Sequence, residues 1–259
     1  MDEWLSKLPF WWMVLVVSAV TYVTTGVIFA VISILGRGER LRTFKGVSIG
    51  LLSPLGTIFG LLVVFILAQV WSDFDRAEVA VDREASALRM VTLLVADSFP
   101  GEPDTQIRDL VRHHIDGAVS VEWPAMQKES ASLWAPPAAL NDALRFALSL
   151  TPNNDGQIVA QREMVAAFEN ALDARRHRLI LSGSGVNWIK WTCLFAQAIL
   201  VLAAIGIAHI ENRVAAALAM AIFAGGVVVS VALIASHDRP FSGSISVKPT
   251  VLLQVRPGD

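Results

Sequence analysis

Four stretches of the chain lack any formal charge for long enough to cross a bilayer as helix, which takes about 20 residues. They span residues 8–36, 46–72, 191–208 and 214–236. All four read as transmembrane helices. The first is too long for the apolar core of a signal peptide, and no small-residue cleavage site follows it, so it is expected to be retained. Tryptophans mark the limits. Trp4, Trp11 and Trp12 sit at the start of helix one, Trp71 closes helix two, and Trp188 and Trp191 open helix three. An apolar ring with one N–H suits the headgroup layer.

Residues 73–186 show a different pattern. Apolar positions recur at helical spacing in four sets: Phe74, Ala77, Val81, Leu88, Val91 and Val95; Ile107, Leu110, Val111, His114, Ile115 and Ala118; Leu140, Ala143, Leu144, Ala147 and Leu148; Ile158, Val165, Phe168 and Leu172. Pro100, Pro103, Pro124, Pro136, Pro137 and the turn 152–156 punctuate them. Nothing breaks helix two between Trp71 and Asp97, so it is expected to leave the membrane as one rod. Ser182-Gly183-Ser184-Gly185 is the expected break before helix three. The reading is all-α: four transmembrane helices, with a helical soluble domain (73–186) between helices two and three. Residues 187–236 hold helices three and four, and 237–259 form a C-terminal tail.

Charge supports that division. Residues 73–186 hold 17 Asp/Glu and 11 Lys/Arg, a net of -6, while the rest of the chain is +4, giving the overall -2. Hydrophobic residues make up 54%, charged ones only 17%, and mean hydropathy is +0.54. A soluble domain carries about 25% charge. With a pI near 6.2 there is no basic footprint for nucleic acid. The single cysteine, Cys193, excludes an intrachain disulfide and a cysteine metal site.

Catalytic signatures are absent: no nucleophile elbow, zincin motif, phosphate loop or dinucleotide fingerprint. No enzyme activity and no cofactor are expected. His113-His114 with Asp109 and Asp116 raises the question of a metal, but the two imidazoles diverge on a helix, His114 to the apolar face, so no metal site is expected. Glu122-Trp123-Pro124 reads either as a binding site or, the favoured reading, as a helix end at Pro124 with Trp123 capping the core. Arg175-Arg176-His177-Arg178 reads as a solvated face near lipid headgroups.

The membrane spans carry no charge at mid-depth, and Gln197 is their most polar central group. Helix four is dense in Ala and Gly, which permits close helix contact. Helix two places Gly46, Gly50, Ser53, Thr57 and Gly60 on one narrow stripe, with Pro54 a kink or local release of backbone groups, and Leu51, Leu55, Ile58, Leu62 and Phe65 on the other side. Such a stripe suits either a packing seam or, in a symmetric oligomer, a pore wall. At the same period it continues through Val64, Leu67, Ala68 and Trp71, an apolar constriction. Asp75, Glu78 and Asp82 then follow as an acidic mouth, unless they are only the wet face of the rod.

The pattern resembles the bacterial bestrophin-like family of membrane proteins. The residues that carry this are Gly60-Leu61-Leu62, Trp71-Ser72-Asp73-Phe74-Asp75-Arg76, Glu84-Ala85-Ser86-Ala87-Leu88, Glu122-Trp123-Pro124 and His237-Asp238-Arg239-Pro240-Phe241-Ser242-Gly243. The resemblance implies kinship with pentameric channels of four spans per subunit and a pore lined by the second helix. The expected function is therefore an oligomeric ion channel or channel-like pore lined by helix two. The alternative is a non-conducting membrane sensor or scaffold whose acidic domain binds a ligand or protein. Expected partners are the lipid bilayer, inorganic ions and further copies of the chain, five by resemblance only. The expected location is the bacterial inner (plasma) membrane. The loop 37–45, with four basic residues and one acid, puts the domain outside by positive-inside logic; the resemblance puts it in the cytoplasm. Asp238 and Arg239, just after helix four, are expected to pair with Asp73, Asp75 or Arg76 and dock the domain, with Phe241 anchored in the headgroup layer.

Overall fold

A computed structural model describes residues 10–35, 49–133, 136–243 and 245–258, and contains helices and no strands among them. Helix α1 is Phe10–Leu35. A single 3-10 turn, Ile49–Leu51, leads into α2, Leu52–Ser98. At 1.5 Å per residue its 47 residues extend roughly 70 Å, more than twice the hydrocarbon thickness of about 30 Å. Pro54 lies in its first turn, where the missing N–H is one of the donors a helix leaves unpaired anyway. The kink expected at Pro54 is thus unnecessary.

Helix α3 is Glu102–Gly117, with Pro103 at its start. It runs without a break into a π-helical turn, Ala118–Glu122, and then into the short α4, Trp123–Gln127. Pro124 therefore does not end a helix here, contrary to the sequence reading. Its ring excludes the usual i−4 bond, and the extra residue of the π turn moves the offending carbonyl away; the Trp123 N–H bonds Ala118 five residues back. Helix α5 is Ala138–Ser149 and α6 is Asp155–Ser182. Asn154 caps α6 by accepting from the Gln157 N–H (2.9 Å), and the Gln157 side chain accepts from the Asn153 N–H (2.7 Å). Helices α7, Trp188–Ala208, and α8, Arg213–His237, have the asparagine caps Asn187 and Asn212. The short α9, Thr250–Gln254, closes the order.

The chain divides into two compact units. The first, Met1–Ser72 with Gly185–Asp238, contains among its described residues four helices long and apolar enough to span a membrane, counting the first part of α2. Its core joins Met13, Val17, Phe59, Ile66, Val70, Leu194, Val201, Val227 and Ile234. Helix α8 packs on α1 and α7, and its buried residues mix alanines with Met220, Val227, Val231 and Ile234. Gly206 shows how closely: a methyl there would lie 2.7 Å from Ile32 Cδ1 and 3.2 Å from Met220 Sδ.

The second unit, Asp73–Ser184 with Arg239–Asp259, is a helical bundle around Ala77, Val81, Leu88, Ile107, Val111, Ile115, Trp123, Leu140, Met164 and Phe168. Its buried face on α6 differs from the fourth apolar set. Ile158 is exposed, and the face consists of Ala160, Met164, Ala167, Phe168, Ala171 and Ala174, followed by Arg175 and Arg178. The segment after α8 is not a free tail. Phe241, Val247 and Leu252 are buried in this unit's core. Phe241 lies edge-on to Trp123 (5.8 Å, 84°) rather than at a headgroup layer. The Trp123 indole N–H donates to the Val247 carbonyl at 3.2 Å.

Candidate functional site: an uncovered helix face and a buried charge network

Along α2, residues spaced three and four apart fall on one line. Gly50, Ser53, Thr57, Val64, Ala68 and Trp71 are all exposed, as are Asp75, Glu78 and Asp82, and Gly60 is half-buried. A Cβ built at Gly56 or Gly60 would meet nothing within 4 Å. The side that packs is elsewhere on the helix: Phe59, Ile66 and Val70 in the first unit, and Ala77, Val81, Leu88, Val91 and Val95 in the second. Leu51, Ile58 and Phe65, read from sequence as opposite the stripe, flank it and are exposed, Phe65 at 71%. The Thr57 hydroxyl donates to the Ser53 carbonyl at 2.9 Å within the helix. Gly46 lies outside the described residues.

Asp238 follows α8 directly. Its carboxylate accepts the Val186 N–H at 2.6 Å. Burial pushes this carboxyl above its ordinary range, and the Val186 bond acts against that shift. Arg239 pairs with Glu129, a residue held at a left-handed φ of 54° just past α4. Asp73 pairs with Arg76 on its own helix at 2.7 Å. The observed partners are thus Val186 and Glu129, where the sequence suggested Asp73, Asp75 or Arg76.

The most polar cluster in the second unit is buried. Glu84 on α2 is fully enclosed, and both its oxygens are held. Oε1 accepts from His114 Nε2 (2.8 Å) and Arg178 Nη2 (3.1 Å), and Oε2 accepts from Arg178 Nε (2.8 Å). Arg178 also donates to Glu122 Oε2 (2.8 Å) and stacks 4.7 Å from the Trp123 ring. Arg175 Nε donates to Glu122 Oε1 (2.7 Å). Burial raises the Glu84 carboxyl, but Arg178 and His114 outweigh it and bring the pKa down to about 2. Arg178 is raised by Glu84 and Glu122 against its own burial. Glu122 is the last residue of the π turn and faces both Arg175 and Arg178.

Two sequence readings change as a result. Arg175 and Arg178 are 5% and 0% exposed, so only Arg176 and His177 of that run form a solvated face. Glu122-Trp123 belongs to an ionic network and does not merely cap the core. His114 is buried and His113 exposed, and no group of metal-binding side chains occurs among the described residues.

Four spanning helices, with the second running on unbroken into a helical insert, define a class of multi-pass membrane protein. Residues 8–252 match the Bestrophin-like domain, and the chain belongs to the Bestrophin-like family. Two point-mutant forms of a bacterial bestrophin homolog from Klebsiella pneumoniae share the fold. One has a TM-score of 0.73 at 12% identity, over 94% of this chain and 95% of its own. The other has 0.70 at 11% identity, over 94% and 96%. A third structure of that homolog, phased on zinc, gives 0.69 at 12% identity over 93% and 95%. No protein of curated function matches the sequence.

Proposed function

We propose that the protein is the subunit of an oligomeric ion channel or channel-like pore, with α2 lining the path. The observation that carries this is the uncovered face of α2. Packing through Phe59, Ile66 and Val70 leaves Ser53, Thr57, Val64 and Ala68 exposed on one line of α2 among the described residues. Gly46, Gly50, Ser53, Thr57 and Gly60 would be the wide, polar part of the wall. Val64, Ala68 and Trp71 would form the narrow part, where apolar rings gate by dewetting. Asp75, Glu78 and Asp82 would put an acidic field at the mouth, favouring cations. One chain has four spans, too few to enclose a wide path, so the active form is a homo-oligomer, of five copies by the bestrophin resemblance. Membership of the family supports a bacterial inner membrane location with the second unit in the cytoplasm.

The test is current through purified protein in planar bilayers under a salt gradient. Unitary currents with a defined reversal potential support the channel. Protein that inserts and stays oligomeric but passes no current favours the sensor or scaffold reading.

A further inference from the structure

The buried network stands on the back of α2. Glu84 is two residues beyond Asp82, which is about 200° around the helix. The rest of that packed side is apolar and partly smooth: Ala77, Ala80, Val81, Ala85 and Leu88. Small apolar surfaces tolerate sliding and rotation, because apolar packing specifies volume more than direction. Glu84 is different. Its two oxygens take three bonds from two other helices, at 2.8, 3.1 and 2.8 Å. A one-residue rotation of α2 breaks all three. The donors are themselves fixed, since Arg178 is held by Glu122 and by the Trp123 ring, and Glu122 by Arg175. Two carboxylates face two guanidiniums, with the His114 imidazole as the fifth member. No buried side-chain N or O among the described residues lacks a partner.

We propose that Glu84, His114 and Arg178, seated on Glu122 and Arg175, are positioning residues that set the rotational angle of the soluble half of α2. They thereby keep Asp75, Glu78 and Asp82 on the exposed side of the helix. This rests on the pore reading for its consequence, though not for its geometry. Buried ion pairs replaced by apolar groups of similar volume are often neutral or stabilising. A role in direction is therefore separable by experiment from a role in stability.

The test uses the full chain in nanodiscs with Cys193→Ser. Cysteines introduced at Ala85 (buried) and Ser86 (exposed) report the angle of α2 through their rates of modification by a hydrophilic thiol reagent. In the parent, Ser86→Cys should react at least a hundredfold faster than Ala85→Cys. The variant Glu84→Met/His114→Leu/Arg178→Met leaves Glu122 and Arg175 paired. It should melt as a folded protein, yet lose at least tenfold of that contrast and shift the reversal potential in bilayers. A folded triple variant with the parental contrast and parental reversal potential overturns the proposal. If the triple variant does not fold, Glu84→Gln decides by the same contrast: a drop supports the proposal and an unchanged ratio overturns it. If the parent passes no current, the contrast still decides this point while the pore reading falls alone.

Discussion

Removing the charge of Glu84 should cost the second unit stability in a pH-dependent way. In the folded protein its carboxyl is held at about 2, against an ordinary 4.5. A tenfold change in proton affinity is worth about 1.4 kcal/mol, so the ionised form contributes on the order of 3 kcal/mol. The folded pKa is the lower one. The contribution is therefore fully present above about pH 4.5, and is lost as pH falls through the range from 4.5 to about 2. Glu84→Gln should cost roughly the same 3 kcal/mol at pH 7 and flatten the acid limb. Hydrogen-exchange mass spectrometry on the full chain in nanodiscs reads this in the amides of α3 and α6, after correction for intrinsic rates. Protection in those helices should fall about a hundredfold in the variant at pH 7. A loss below fivefold, or an acid limb as steep as the parent's, would show that the ionised network does not hold the unit together.

Other outcomes follow from separate parts of the chain. Asp75→Asn with Glu78→Gln should move the reversal potential towards anions, because fixed charge acts within about 8 Å at physiological salt; no movement removes the acidic mouth. Gly206→Ala should lower the melting temperature by the equivalent of about 1–3 kcal/mol, since its methyl would lie 2.7 Å from Ile32; an unchanged melting point would mean that α1 gives way freely. Phe241→Ala should cost about 3–5 kcal/mol, because the ring is 1% exposed and packs edge-on to Trp123; tolerance would mean the C-terminal segment is dispensable to the core.

The helices were legible because their signals are local. Uncharged length gave the spans, and the unbroken run from Trp71 to Asp97 gave the long α2. His114 could be placed because it falls in register with Ile107, Val111 and Ile115. The network was not legible. Arginines at 175 and 178 look solvated until a carboxylate 94 positions away, Glu84, is brought beside one of them. One signal was available: Ala167, Ala171 and Ala174 share a face with both arginines, and alanines that small mark a helix pressed against a neighbour. Pro124 misled because a proline ends most helices, and a π turn that absorbs one leaves little trace in sequence. The fate of Phe241 depends on a pairing with Trp123 across more than a hundred residues. Periodicity does not carry such information.

The claim that α2 lines the conduction path is tested most directly by cysteine scanning of the current. In a Cys193→Ser background, single cysteines from Thr57 to Asp75 are exposed to a charged thiol reagent during recording. Block at Thr57, Gly60, Val64, Ala68 and Trp71, with silence at Phe59, Ile66 and Val70, is the result predicted by the face that α2 leaves uncovered. Block at every position, or block confined to the packed side, would contradict it.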